Sequence, residues 1–96
     1  MIILRKKSTN GVYDSWQDSD TVTIDADGTH APNLEIPMCT SADFELVTGV
    51  TDTDNNASYG SGIYTWDGSA WALANSDGKA AIDAIRAEIA AGHPSE

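Results

Sequence analysis

Between Ser8 and Gly78 the chain has no lysine or arginine, although the same span holds 12 acidic residues. Positive charge is confined to Arg5, Lys6 and Lys7 near the start and to Lys79 and Arg86 near the end. With 15 acidic against 5 basic residues, the 96 residues carry a formal charge of −10. Phosphate backbones and anionic membrane surfaces both require clustered cations, so neither nucleic acid nor membrane is an expected partner. Long apolar runs are also missing, and nothing approaches the roughly 20 residues of a membrane span. At the start, Arg5–Lys7 follow the short apolar run Ile2–Leu4, the reverse of the order in a signal peptide. The one cysteine, Cys39, has no partner for an internal disulfide and reads as a small buried residue in a reducing cytoplasm.

The residues that carry chemistry are equally sparse. Two histidines, His30 and His93, are too few for a metal cluster, and both read as loop or chain-end residues. Gly60-Ser61-Gly62 lacks the lysine and the following helix of a phosphate loop. Asp52-Thr53-Asp54-Asn55-Asn56 begins like an EF-hand loop. However, Ala57 stands where glycine is required and Ile63 where the bidentate glutamate should be. Asp52, Asp54 and Asn56 remain as a weak candidate calcium set, against a solvated loop as the plainer reading. Asp14, Asp18, Asp20, Asp25 and Asp27 sit among turn formers, where aspartate bonds its own backbone. The expectation is a protein that is not an enzyme, with no catalytic residue, cofactor or metal.

What is present is patterning for strands. Gly62–Ala74 concentrates aromatic and apolar residues around Asp67-Gly68-Ser69-Ala70, the chemistry of a four-residue hairpin loop. That loop sets Trp66 opposite Trp71, and the hairpin is the stretch around which the chain is expected to organise. Elsewhere Ile2–Leu4 reads as a short strand before an Asn10-Gly11 turn, and Val12–Asp20 as an irregular strand or loop. Thr21–Asp25 alternates before Asp27-Gly28, and Leu34, Ile36 and Met38 alternate up to a strand that Pro37 confines to an edge or bulge. Asp43–Val50 alternates again, and the ~11 residues from Asp52 to Gly62 read as loop. The end of the chain is helical, over residues 76–92, capped by Ser76 or Asp77 and stopped by Gly92 and Pro94. Its Ile82, Ile85 and Ile89 form one stripe that requires burial, against its own sheet or a copy of itself, with the sheet favoured. Lys79–Asp83 and Asp83–Arg86 are spaced to pair along it. The fold class expected is mainly β (α+β): one domain, residues 1–96, a small antiparallel sandwich or barrel with one C-terminal helix.

Two readings of partner binding follow. Residues 1–8 form a basic arm on an acidic body, either blunting an edge strand or docking onto an acidic partner. Trp16, Tyr59, Tyr64, Trp66 and Trp71 are candidates for a sugar-stacking platform, against a plainer role in the core.

The Trp-Asp-Gly-Ser-Ala-Trp hairpin, preceded by Ile63-Tyr64, resembles hairpins that recur in virion structural proteins of tailed bacteriophages: tail fibres, head fibres and capsid decoration proteins. The match covers about a dozen residues, and the chain lacks the long repeats of fibres, which favours a compact capsid-bound form. The resemblance implies a cement protein located in the virion, assembled in host cytoplasm, bridging major capsid protein subunits, often as a homotrimer. In that reading Ile2, Ile3 and Leu4 add a strand to a capsid sheet edge, with Arg5, Lys6 and Lys7 meeting acidic groups. The alternative it implies is a receptor- or glycan-binding module of a head or tail fibre, using Trp66 and Trp71.

Overall fold

A computed structural model describes residues 1–92; His93 and Pro94, read above as a chain-end histidine and a helix stop, lie outside the described residues. The protein is mainly β, and the described residues form eight strands in small antiparallel sheets followed by one helix. These sheets do not close into a barrel. The first sheet has the order β2-β1-β6, from β1 (Ile2–Lys6), β2 (Val12–Trp16) and β6 (Phe44–Val47). The second has the order β3-β4-β5, from β3 (Thr23–Asp25), β4 (Gly28–Ala31) and β5 (Leu34–Ile36). The hairpin of β7 (Tyr64–Trp66) and β8 (Trp71–Leu73) stands as a third sheet, and α1 runs over Ser76–Ala90.

The molecule is organised around β1 rather than around the tryptophan hairpin. Strand β1 pairs with β2 on one edge and with β6 on the other. Because successive side chains point to opposite faces, Ile3 and Leu4 enter different cores. Ile3 joins Val12, Val50, Ala57 and Trp66, with Val47 and Trp71 packed against them. Leu4 joins Cys39 and Phe44, with Tyr13, Ile24, Ile36 and Leu46 around them. Both residues are fully buried, and Ile2 is nearly so. A strand covered on both faces reads as an uninterrupted apolar run, which accounts for Ile2-Ile3-Leu4.

Local chemistry explains the connections. Lys7–Thr9 turns β1 into β2, helped by Asn10 at φ 62, and a bulge between Leu4 and Arg5 shifts the register. Ala26-Asp27 closes β3 onto β4, and Gly28 follows at φ 133, where an added Cβ would lie 2.6 Å from the Ile36 carbonyl oxygen. Pro32-Asn33 closes β4 onto β5, with Asn33 at φ 59. Strand β5 ends at Ile36 and is an edge, as Pro37 requires. The expected loop over Asp52–Gly62 contains a short 3-10 turn, Asn56–Tyr59. The cap of α1 is Asn75, whose side chain accepts from the Gly78 amide, in place of Ser76 or Asp77.

Candidate functional site

Of the residues read as partner-binding, the N-terminal group is placed quite differently from a free arm. Ile2, Ile3 and Leu4 are core, and Arg5 is drawn inward with them. The Arg5 guanidinium donates through Nη1 to the Trp66 carbonyl at 2.8 Å and through Nη2 to Glu45 Oε1 at 2.9 Å. Its Nε is buried without a partner among the described residues. The acidic group that Arg5 meets is thus on its own sheet, and the arm docks onto its own body. Lys6 is half-buried at an open cleft of about 560 Å³ that Tyr13, Ile36, Met38, Cys39 and Phe44 also line. Lys7, at the turn, donates to the Ser41 carbonyl at 2.7 Å. The structure thus corrects the picture of a free arm: Ile2–Lys6 form the middle strand of the first sheet, with the Ile3 and Leu4 side chains in two cores.

The hairpin forms as expected in register and separates its two tryptophans in role. Trp66 and Trp71 are cross-strand partners, with ring centroids 5.3 Å apart and planes inclined by 52°. The loop between them is held by Asp67, whose Oδ1 accepts from the Ser69 and Ala70 amides at 2.8 Å. Those amide donors, with the Ser69 hydroxyl, hold the Asp67 carboxyl below its usual range. Trp66 is buried against Ile3 and Val12, so it has no face to offer a sugar or a capsid. Trp71 is half-buried and its Nε1 donates to the Thr51 carbonyl at 2.8 Å. The stacking platform thereby loses Trp66. Tyr59, another member, is occupied by the helix.

At that helix the structure departs furthest from expectation. No residue of α1 is fully buried. Ile82 is half-buried, while Ile85 and Ile89 are 57% and 72% exposed. The favoured burial of this stripe against the chain's own sheet is therefore corrected. The hydrogen bonds and ion pair that hold α1 come from Lys79, Asp83 and Arg86. The Tyr59 hydroxyl donates to Asp83 Oδ1, and Lys79 Nζ reaches Asp83 Oδ2 at 2.8 Å. The Arg86 guanidinium lies 4.3 Å from the Tyr59 ring centroid and donates to the Ser58 carbonyl at 3.3 Å, instead of pairing with Asp83. Lys79 and then Tyr59 hold the Asp83 carboxyl below its ordinary range, and the same hydrogen bond raises the Tyr59 phenol. Ile63 fixes the start of the helix: its carbonyl accepts from Ala74 and Asn75, and its Cδ1 fills the space beside Gly78.

His30 is the other residue whose place the sequence did not convey. It lies in β4, the middle strand of the second sheet, rather than in a loop. Nδ1 is 2.9 Å from Glu35 Oε1 and Nε2 is 3.0 Å from Asp25 Oδ1, so the imidazole bridges both neighbouring strands. Glu35, then Asp25, push its pKa up to about 9, which keeps the ring charged at neutral pH. The signal was legible in principle: Asp25, His30 and Glu35 are evenly spaced by five across two tight turns, which stacks them on one face.

The remaining candidates are structural. Asp52 uses both carboxylate oxygens on the amides of Asn56 and Ala57, at 2.9 and 2.7 Å, and so holds the start of the 3-10 turn. Burial pushes the Cys39 thiol up, away from the reactive thiolate. Among the described residues, no group of three or more His, Cys, Asp or Glu is disposed to hold a metal, and no helix is long and apolar enough to cross a membrane. No protein-family model, curated protein or solved structure matches the chain.

Proposed function

We propose that this chain is a structural protein of a tailed-phage virion, a decoration or cement protein that bridges subunits of the major capsid protein. The observation that carries the reading is the Tyr64–Leu73 hairpin. The Trp-Asp-Gly-Ser-Ala-Trp motif, on which the resemblance to virion proteins rests, folds as a paired-tryptophan hairpin docked into the core. Such a protein adds buried area across seams between capsid subunits and performs no chemistry. The contact proposed here differs from the strand-adding arm. Arg5 is engaged inside the domain, so the charge available to a partner is that of the acidic body. Complementary attraction to basic patches on the shell steers binding, and added salt weakens it.

The test is co-sedimentation of the purified protein with empty shells assembled from the major capsid protein encoded in the same genome. Pelleting in a fixed ratio to capsid subunits, reduced as salt is raised, is the expected result. Protein that stays in the supernatant at saturating concentration and low salt overturns the reading.

A further inference from the structure

We infer that the cleft lined by Lys6, Asp43 and the aromatic pair Tyr13–Phe44 binds a small zwitterion with an apolar side chain, the chemistry of a free α-amino acid such as phenylalanine. The inference goes beyond the virion role and does not rest on it.

The first support is the shape and lining of the cleft. Lys6, Tyr13 and Phe44 come from the first sheet, Ile36 from β5 of the second, and Met38 and Cys39 from the turn after β5. The space is about 560 Å³, within the range of clefts that hold small molecules, and its lining is mostly apolar, as in such sites. Its walls are formed before any ligand arrives. Tyr13 and Phe44 meet edge to face with ring centroids 5.2 Å apart. The turn is pinned by the Cys39 amide, which donates to the Ile36 carbonyl at 3.1 Å, and by the Thr29 hydroxyl, which donates to the Cys39 carbonyl at 2.7 Å. Met38 is 86% exposed, a flexible thioether able to close over an apolar guest.

The second support is a pair of uncommitted charges. Arg5, Lys7, Lys79 and Arg86 each donate to an acceptor in the fold. Lys6 is the one lysine or arginine without a partner among the described residues, although the chain holds 15 acidic residues. Asp43 matches it. Its backbone is tied to Lys7 and Thr40, while its carboxylate accepts from no donor among the described residues. Lys6 pairs with Phe44 across β1 and β6, which sets Asp43 one residue from the lysine's partner. The two line one cleft and form no ion pair with each other.

The third support is the field of the whole chain. At −10 the body repels a simple anion, and an anion on Lys6 also meets the like charge of Asp43. A simple cation on Asp43 meets Lys6 in the same way. A zwitterion is neutral overall, so it is not repelled at a distance, and it offers a carboxylate to Lys6 and an ammonium to Asp43. Its side chain then buries apolar surface against Tyr13, Ile36 and Phe44.

The experiment is a nuclear magnetic resonance titration of the full chain, following the Met38 methyl and the amides of Lys6 and Phe44. Three probes are compared: phenylalanine, 3-phenylpropanoate, which lacks the ammonium, and 2-phenylethylamine, which lacks the carboxylate. The expected result is saturable shifts with phenylalanine at a Kd of roughly a millimolar, the scale for a ligand of about twelve non-hydrogen atoms. Each one-charge analogue is expected to bind about fivefold or more weakly. Lys6→Met is expected to weaken phenylalanine by a similar factor and to leave 2-phenylethylamine no weaker; Asp43→Asn does the same with 3-phenylpropanoate spared. Absence of saturable shifts up to about 20 mM, well above the expected constant, overturns the inference. An analogue that binds as tightly as phenylalanine overturns it too, and so do folded variants that bind phenylalanine like the wild type. The comparison of probes on the wild-type protein decides the matter even where a variant fails to fold. None of these results bears on shell binding, and failure to bind shells leaves the titration unaffected.

Discussion

The two ends of the chain each carry three large aliphatic residues, and the fold treats them in opposite ways. Ile2, Ile3 and Leu4 lie buried in the middle strand of the first sheet, with Ile3 and Leu4 in two separate cores. Ile82, Ile85 and Ile89 lie on a helix held to the domain through polar residues, so most of their surface stays in water. Three consecutive apolar residues in a strand serve both faces at once and contribute to stability. Three apolar residues at heptad spacing make one narrow stripe, and a stripe left in water contributes nothing until something covers it. Apolar area alone therefore does not decide which residues are buried; geometry relative to the rest of the chain does.

This contrast can be broken most severely at the N-terminal end. Deleting residues 1–7 removes the strand that β2 and β6 both pair with, and the expected result is loss of the cooperative thermal transition. Retention of a sharp transition would mean that β1 is dispensable, and the contrast would collapse. Ile3→Ala is a gentler version, expected to cost about 2–5 kcal/mol in urea unfolding, as for other fully buried isoleucines. The same substitution at Ile85 is expected to fall within about 0.5 kcal/mol in the monomer, because the side chain is already exposed. Comparable losses at the two sites would show that α1 is buried in the isolated protein.

The second sheet sharpens the comparison by showing a stabilising contact that is polar and titratable. The folded-state pKa of His30 lies near 9, above its ordinary value of 6.5. Its contribution is therefore fully present below about pH 6.5 and is lost as pH rises through about 9. The expected observation is a melting temperature that declines over that window in the wild-type protein and more shallowly in His30→Gln. Identical pH profiles would show that the bridge to Asp25 and Glu35 does not hold the strands. This effect is small beside the loss at Ile3, since all three groups are partly exposed.

Much of the β architecture was legible because turns announce themselves. Asn10-Gly11, Asp27-Gly28 and Asp67-Gly68 each mark a reversal found in the fold, and the Trp66–Trp71 register follows from the length of the loop between them. Strand β4 was missed because Gly28–Ala31 offers only a threonine and a histidine where a pattern of apolar residues is sought. Thr29 is nevertheless completely buried, its hydroxyl satisfied by the Cys39 carbonyl at 2.7 Å. Arg5 was misjudged for a related reason. A basic residue beside an apolar run reads as an exposed arm, while its partners, Glu45 and the Trp66 carbonyl, lie 40 and 61 residues away. The helix was located well in sequence and wrongly in space, because its periodicity reports which residues share a face but not which way that face points.

By itself the sequence determined the class of the fold: alternation and turn chemistry dictate strands, and the alanine-rich tail dictates a helix. Those properties are local, and local backbone preference and composition suffice to decide them. Only the tertiary structure decided that β1 is the hub and that the isoleucine stripe faces outward. Both depend on contacts between residues far apart in the chain, Ile3 with Trp66 and Tyr59 with Asp83. No periodicity within a segment encodes which of its faces a distant segment will occupy.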